Sequence, residues 1–196
     1  MKDLLVATHN KHKTIEFKQM ANGVFSIIDL YDAGCQDEIP ETGATLEENA
    51  LQKAKFVHDN FGFNCLADDT GLEIEALDGA PGVYSARFAG VEKDAAKNIQ
   101  KVLSLMTGVN NRRARFRTVI ALYFEGQEFL FEGIVTGEIL EQPAGTGGFG
   151  YDAIFQPDGY SESFAQMSLP QKNKISHRAR AFKKFSQFIH NQPHHD

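Results

Sequence analysis

The residues most able to do chemistry begin with Asp68-Asp69-Thr70-Gly71, two adjacent carboxylates at the end of the apolar run Phe63–Ala67. Neighbouring strand residues face opposite ways, so one carboxylate can enter a site while the other serves a turn. A hard cation such as Mg²⁺ takes one or two carboxylates and completes its shell with water and phosphate oxygens. A plain Asx-turn closing the strand explains the same residues. Glu41 lies upstream in an acidic stretch, and Lys53 lies four residues after Asn49, on the same face of a helix.

Three further segments carry donors. Thr8-His9-Asn10-Lys11-His12-Lys13 stands where a short apolar run feeds a helical pattern. The first N–H groups of a helix lack partners and, with the dipole, favour an anion. Thr8 and Asn10 add short polar groups and Lys13 a full charge, although an ordinary N-cap at Asn10 with surface lysines fits too. Gly145-Thr146-Gly147-Gly148-Phe149-Gly150 satisfies G-x-G-x-x-G by letter. It follows no first strand and opens no helix, so a dinucleotide fold is rejected. It reads as a glycine-rich loop or a close approach. Phe149 and Tyr151 are then exposed rings able to stack on a base for about 1–3 kcal/mol, or rings that close the core. Lys172-Asn173-Lys174-Ile175-Ser176-His177-Arg178 gathers donors at a helix start. Such donors suit the O6 and N7 acceptors of a 6-oxopurine, and a solvated basic face is the alternative.

The elements that must position these groups alternate early. Leu4–Ala7 reads as a strand, followed by a helix with Ile15, Phe17 and Met20 apolar, then a strand at Phe25–Leu30. Thr45 and Glu48 form a capping box. Behind it Leu46, Ala50, Ala54, Val57 and Phe61 share one helical face, and Gly62 ends the helix. Phe63–Ala67 is a strand, and Leu72–Leu77 continues the sheet. Asp78–Gly90 reads as a loop and Glu92–Met106 as a helix. Arg113–Phe124 and Glu128–Leu140 form a hairpin around Glu125-Gly126-Gln127. Ala153–Phe155 is a short strand, and Ser168 caps a short turn. Ser176–Ile189 is a helix with Ile175, Ala179, Phe182, Phe185 and Ile189 on its apolar side, and the tail from Asn191 frays. The class is α/β with a mixed sheet.

Composition narrows the function classes. The chain has 196 residues, 42% of them hydrophobic and 23% charged, which excludes a disordered or fibrous chain. No apolar run reaches the roughly 18 residues of a membrane span, and Leu4–Ala7 is too short for a signal peptide. Cys35 and Cys65 lack metal spacing and cannot build a disulfide framework, so a reducing, cytoplasmic setting is expected. The formal net charge is −6, where a generic nucleic-acid binder is more often basic. The charge is uneven. Residues 172–184 hold six basic groups and no acid. Residues 29–48 hold seven acids, Asp37 and Glu38 among them, and no Lys or Arg. A metal ion and an anion meeting in one site would use both segments, as would two solvated faces of opposite sign.

Taken together and in this order, the motifs closely resemble the inosine triphosphate pyrophosphatase family, the dITP/XTP pyrophosphatases. The matching blocks are Thr8-x-Asn10-x-x-Lys13-x-x-Glu16, Glu41-x-Gly43-x-Thr45 with Glu48-Asn49-Ala50 and Lys53-Ala54, Ala67-Asp68-Asp69-Thr70-Gly71-Leu72, Gly79-x-Pro81-Gly82 with Ser85-Ala86-Arg87, Gly147-x-Phe149-Gly150-Tyr151-Asp152, and Lys172-Asn173 with Ser176-His177-Arg178. The resemblance covers nearly the whole chain, from residue 4 to about residue 189. The resemblance implies a single two-lobed domain: a long curved mixed sheet with helices in two lobes, an active-site cleft between them, and a homodimer. It implies hydrolysis of ITP, dITP and XTP to the monophosphate and pyrophosphate with Mg²⁺. By position, Thr8, His9, Asn10, Lys11, His12 and Lys13 would hold the triphosphate, with Lys53 nearby. Glu41 and Asp69 would bind the metal, and Asp69 would also accept the proton of the attacking water. Thr70 would contact substrate. Phe149, Gly150, Tyr151 and Asp152 would line the base and sugar pocket, and Lys172, His177 and Arg178 would contact the base.

Thr8 stands where serine is common in that family, a harmless hydroxyl exchange. Gln166 and Gln171 stand where it often has acids, which leaves any supporting acid there in doubt. A catalytically silent nucleotide-binding regulator is the competing expectation, and the presence of both Glu41 and Asp69 counts against it. A phosphohydrolase giving diphosphate and phosphate is a third. A nucleic-acid binding module fits least, given the acidic balance and the lack of a binding motif.

Overall fold

The computed structural model describes residues 2–21, 23–35, 39–124 and 126–191, with Lys2 described by its backbone alone. Asp37 and Glu38 of the acidic stretch, Glu125 of the hairpin turn, Met1 and the tail 192–196 lie outside the described residues. Strand β1 (Lys2–Val6) leads to helix α1 (Lys11–Ala21) and strand β2 (Phe25–Asp29). Helix α2 (Leu46–Phe61) precedes strand β3 (Cys65–Ile74), and helix α3 (Ala95–Leu105) precedes strands β4 (Arg113–Phe124) and β5 (Gln127–Ile139). Strand β6 (Phe155–Pro157) and helices α4 (Leu169–Ile175) and α5 (His177–His190) complete the chain. The six strands form one sheet in the order β2-β1-β3-β4-β5-β6. β1 is parallel to β2 and to β3, and β6 is antiparallel to β5, so the sheet is mixed.

The local reasons are those the residues carry. Thr45 in extended backbone accepts from the Glu48 N–H while Glu48 reaches back, and Gly62 ends α2 in the left-handed region at φ 73°. Leu46, Ala50, Ala54 and Val57 are buried along α2. Ser168 builds a second capping box with Gln171, so the expected turn is a true helix, α4. Gln171 fills that role with an amide where a carboxylate would also serve.

Four expectations are corrected. β3 does not end at Asp68 in a turn. It passes straight through Asp68-Asp69-Thr70-Gly71 to Ile74. Ile15 is 49% exposed, while Glu16 is 2% exposed on the buried side of α1 with Thr14, Phe17 and Ala21. The buried stripe is thus displaced by one position, because Glu16 has an internal cationic partner. Ala153 and Ile154 belong to a 3-10 turn, and only Phe155 enters β6. The loop after β3 holds 3-10 turns at Glu75–Leu77 and Gly82–Arg87.

The chain divides into two compact units. The first takes residues up to Asp69, Thr118–Gly133 and the chain from His177 onward; the second takes Thr70–Arg117 and Ile134–Ser176. The core of the first unit includes Val6, Phe17, Leu66, Ile120, Phe182 and Phe185. The core of the second includes Leu72, Ile74, Met106, Phe116, Phe155 and Phe164. In the first unit a Cβ on Gly133 of β5 would overlap the His177 carbonyl and crowd the Ala181 N–H. Only glycine lets β5 pass the first turn of α5, where His177 and Arg178 sit.

Candidate active site

Asp68 and Asp69 face opposite ways from β3, as strand alternation requires. On Asp69's side, Lys53 Nζ lies 3.5 Å from Asp69 Oδ1 and 2.6 Å from Glu41 Oε1. The two carboxylates therefore converge on one cationic position. Asn49, one turn before Lys53 on α2, donates from Nδ2 to Asp69 Oδ2 at 3.1 Å. Its Oδ1 accepts from the Gly43 N–H at 2.7 Å. Gln52 and Glu48 hold the Thr42 and Ala44 N–H groups at 2.9 and 2.6 Å. One helix thus fixes both the loop that carries Glu41 and the Asp69 carboxylate. Burial lowers the Lys53 pKa, but Asp69 and then Glu41 outweigh it and hold it above its ordinary value, so Lys53 is charged.

On the other side, Asp68 is fully buried. Its Oδ2 accepts from Lys13 Nζ at 3.0 Å and from Arg178 Nε and Nη2 at 3.2 and 3.1 Å. Arg178 Nη1 donates to Glu16 Oε2. Burial pushes the Asp68 carboxyl up, yet Lys13, Arg178 and Lys53 reverse this and hold it well below the usual carboxylate range. Burial lowers the Lys13 pKa, Asp68 opposes that, and the net direction is down. Burial likewise lowers Arg178, and Asp68 with Glu16 more than restores it. Removing one member of such a buried pair costs about 3–5 kcal/mol.

Asn10 caps α1, its Oδ1 accepting from the His12 and Lys13 N–H groups at 3.0 and 3.4 Å. Thr8 Oγ1 accepts from the Asn10 N–H at 3.2 Å. The Lys11 and His12 side chains are exposed. His9 lies edge-on to Tyr31 and contacts the Cys35 carbonyl at 3.4 Å. Lys13 of this segment reaches the buried Asp68. Thr70 is half-buried and His177 buried.

The second unit holds its own group. Asp152 Oδ2 accepts from the Phe149 N–H at 2.9 Å and from Lys172 Nζ at 2.6 Å. The same ammonium lies 4.8 Å from the Phe149 ring centre, within cation–π range. A Cβ on Gly148 would overlap the Asp152 carboxylate, so the glycine loop is a close approach. Phe149 and Gly150 are half-buried. Of the two readings left open for Tyr151, the ring that closes the core holds. It is buried, and its hydroxyl donates to the Ser85 carbonyl at 2.8 Å.

Sequence reasoning missed Glu16, Asp68 and Asn49 as working residues. Glu16 lies three residues beyond Lys13 on one helix, and Asn49 shares a face with Lys53. Those spacings were the available signal.

The match to a family model fits this geometry. Residues 4–188 match the Ham1 family. The chain belongs to the Ham1 family. A relative from Christiangramia forsetii named dITP/XTP pyrophosphatase is 50% identical over 186 residues, covering 95% of this chain and 98% of that protein. One of the same name from Porphyromonas gingivalis is 48% identical over 190 residues, covering 96% and 98%. Among solved structures, the Staphylococcus aureus Ham1 protein is similar with a TM-score of 0.87 at 36% identity, covering 98% of this chain and all of that one. A HAM1 protein from Coxiella burnetii gives 0.88 at 35%, with the same coverage. The Ham1-family chain described here is an α/β protein, and among the described residues no helix is long and apolar enough to cross a membrane.

Proposed function

We infer that this chain is a nucleoside-triphosphate pyrophosphatase that hydrolyses ITP, dITP and XTP to the nucleoside monophosphate and pyrophosphate. The observation that carries this reading is the Glu41–Lys53–Asp69 group, two carboxylates about one lysine beside a second cation-rich group built on Lys13. The names of the relatives, dITP/XTP pyrophosphatase, support the substrate class.

The donor set suits Mg²⁺. Glu41 and Asp69 are hard oxygen ligands, they converge, and with Lys53 they carry one net negative charge. Held by those two residues, the ion would polarise phosphoryl oxygens and lower the pKa of bound water. Asp69 accepts the proton of the water that attacks the α-phosphorus. Asn49 keeps the Asp69 carboxylate oriented for that transfer. Lys13 and Lys53 neutralise charge that develops on the leaving pyrophosphate. Thr8 and Asn10 shape the turn that presents Lys13, with His9, Lys11 and His12 on the same segment. Thr70 contacts substrate.

Phe149, Gly150, Tyr151 and Asp152 belong to the base and sugar pocket, and Lys172, His177 and Arg178 read the base. A site rich in donors leaves one unpaired when adenine offers its 6-amino group, and unpaired groups discriminate strongly. The chain acts as a cytoplasmic homodimer on a small-molecule substrate, with no nucleic-acid or membrane partner.

A panel of ITP, XTP, GTP and ATP, assayed for released pyrophosphate, tests the reading. The expected result is kcat/KM for ITP and XTP at least a hundredfold above that for ATP, using the range for unpaired polar groups. Comparable values for ATP would refute the 6-oxo selectivity. Binding of ITP without pyrophosphate release would instead favour the silent regulator.

A further inference from the structure

Asp68 takes no part in the steps above, yet it is the acid that two cations share. Its Oδ2 meets Lys13 Nζ, Arg178 Nε and Arg178 Nη2 at 3.0, 3.2 and 3.1 Å. Lys13 comes from α1 and Arg178 from α5. Two like charges so close to one oxygen repel each other, and the anion between them offsets that repulsion. Glu16 secures the guanidinium at Nη1. Arg178 therefore rests on one acid that it shares with Lys13 and on a second that approaches from α1.

We propose that Asp68 is a positioning residue that couples Lys13 to Arg178, so that engaging a polyphosphate at Lys13 fixes the guanidinium more firmly. The proposal rests on the reading in which Lys13 meets phosphate and Arg178 meets the base. Charge-assisted hydrogen bonds are the strong ones, and donors that share an oxygen compete for it. When a phosphate oxygen draws Lys13 away, Asp68 Oδ2 turns wholly to Nε and Nη2. Asp68 and Glu16 then hold the plane of Arg178 between them. The phosphate end of the substrate thereby prepares the group that reads the other end. Asparagine at position 68 keeps the size and one oxygen but lacks the charge, so it cannot transmit the change.

The test is a double-mutant cycle on the full chain, Lys13→Gln with Arg178→Lys, made in the wild type and again with Asp68→Asn. In the wild type the combined effect on KM for ITP departs from the product of the single effects by at least about threefold, within the usual range for coupled neighbours. With Asp68→Asn it returns to the product. Asp68→Asn alone raises KM by about tenfold while kcat at saturating ITP changes far less. A binding readout runs beside it: inorganic tripolyphosphate shifts the Arg178 Nε–H resonance in ¹⁵N spectra of the wild type, and not in Lys13→Gln or Asp68→Asn. Independent effects in the wild-type cycle, or an unchanged tripolyphosphate response in Asp68→Asn, would overturn the coupling. Should Asp68→Asn fail to fold, the wild-type cycle and the Lys13→Gln titration decide the matter. If ITP yields no pyrophosphate while the resonance still responds, the functional reading falls and the coupling stands.

Discussion

Asp68 and Asp69 are chemically identical neighbours with opposite assignments, and the difference comes from what each faces. Asp69 faces Asn49 and Lys53, while Asp68 faces Lys13 and Arg178. Replacing Asp69 with asparagine keeps the shape and removes the carboxylate proposed as the base. Turnover of ITP should fall by about 10²-fold or more, with the circular dichroism spectrum unchanged. Wild-type-like turnover in that folded variant would remove Asp69 from the mechanism. Cys65 offers a pH prediction. Burial pushes its thiol up to about 12, so it stays protonated across the range where an ordinary thiol, with a pKa near 8.5, ionises. In a Cys35→Ser variant, the native protein should therefore react with an aromatic disulfide far more slowly than the unfolded chain at every pH between about 7 and 9.5, and equal rates would show that burial does not hold Cys65 protonated. Asp69, Glu41 and Lys53 were legible through the resemblance of their blocks to a known family; by themselves the paired aspartates fit a turn and Glu41 and Lys53 fit a solvated surface. Glu16 was less legible. A carboxylate inside a helical apolar stripe looks misplaced until its partner is known, and that partner, Arg178, lies at the far end of the chain.

At the scale of elements, α2 does more than pack. Its first turn is capped by Thr45, its second holds Asn49 and its third Lys53. Thr45→Ala should cost about 1 kcal/mol of stability, read from urea unfolding, through loss of the cap. Asn49→Ala should lower kcat/KM for ITP at least about tenfold, because both Asp69 and the loop behind Glu41 lose a fixed partner. A stability change without an activity change would show that the loop holds itself. In β5, Gly133→Ala should destabilise by about 1–3 kcal/mol as an overpacking change, and it should raise KM more than its neighbours do, since it presses on the turn bearing His177 and Arg178. The helices and most strands could be read from periodicity and capping residues. The passage of β3 through two aspartates could not. Adjacent acids before Thr-Gly look like a turn, whereas here the strand runs through them with a cationic partner for each, Lys13 and Arg178 at Asp68 and Lys53 at Asp69. Gly133 was equally silent, because a close approach between distant segments leaves no local pattern.

At the scale of the molecule, the mixed sheet followed from early alternation of strands and helices and from the long hairpin. The division into two units crosses β3, β4 and β5 in sequence, and no composition shift or linker announces it. The two poles of charge read from the sequence resolve into defined groups: Glu41 from the acidic stretch pairs with Lys53, and from the basic stretch Arg178 pairs with Asp68 and Glu16, and Lys172 with Asp152. In the proposed reaction, water attacks the α-phosphorus of a deaminated purine triphosphate. Hydrolysis of ITP in ¹⁸O-enriched water, with the products separated and weighed by mass spectrometry, tests it directly. Attack at the α-phosphorus gives IMP carrying one ¹⁸O and pyrophosphate carrying none. Label in the pyrophosphate, or IDP with labelled phosphate, would contradict it.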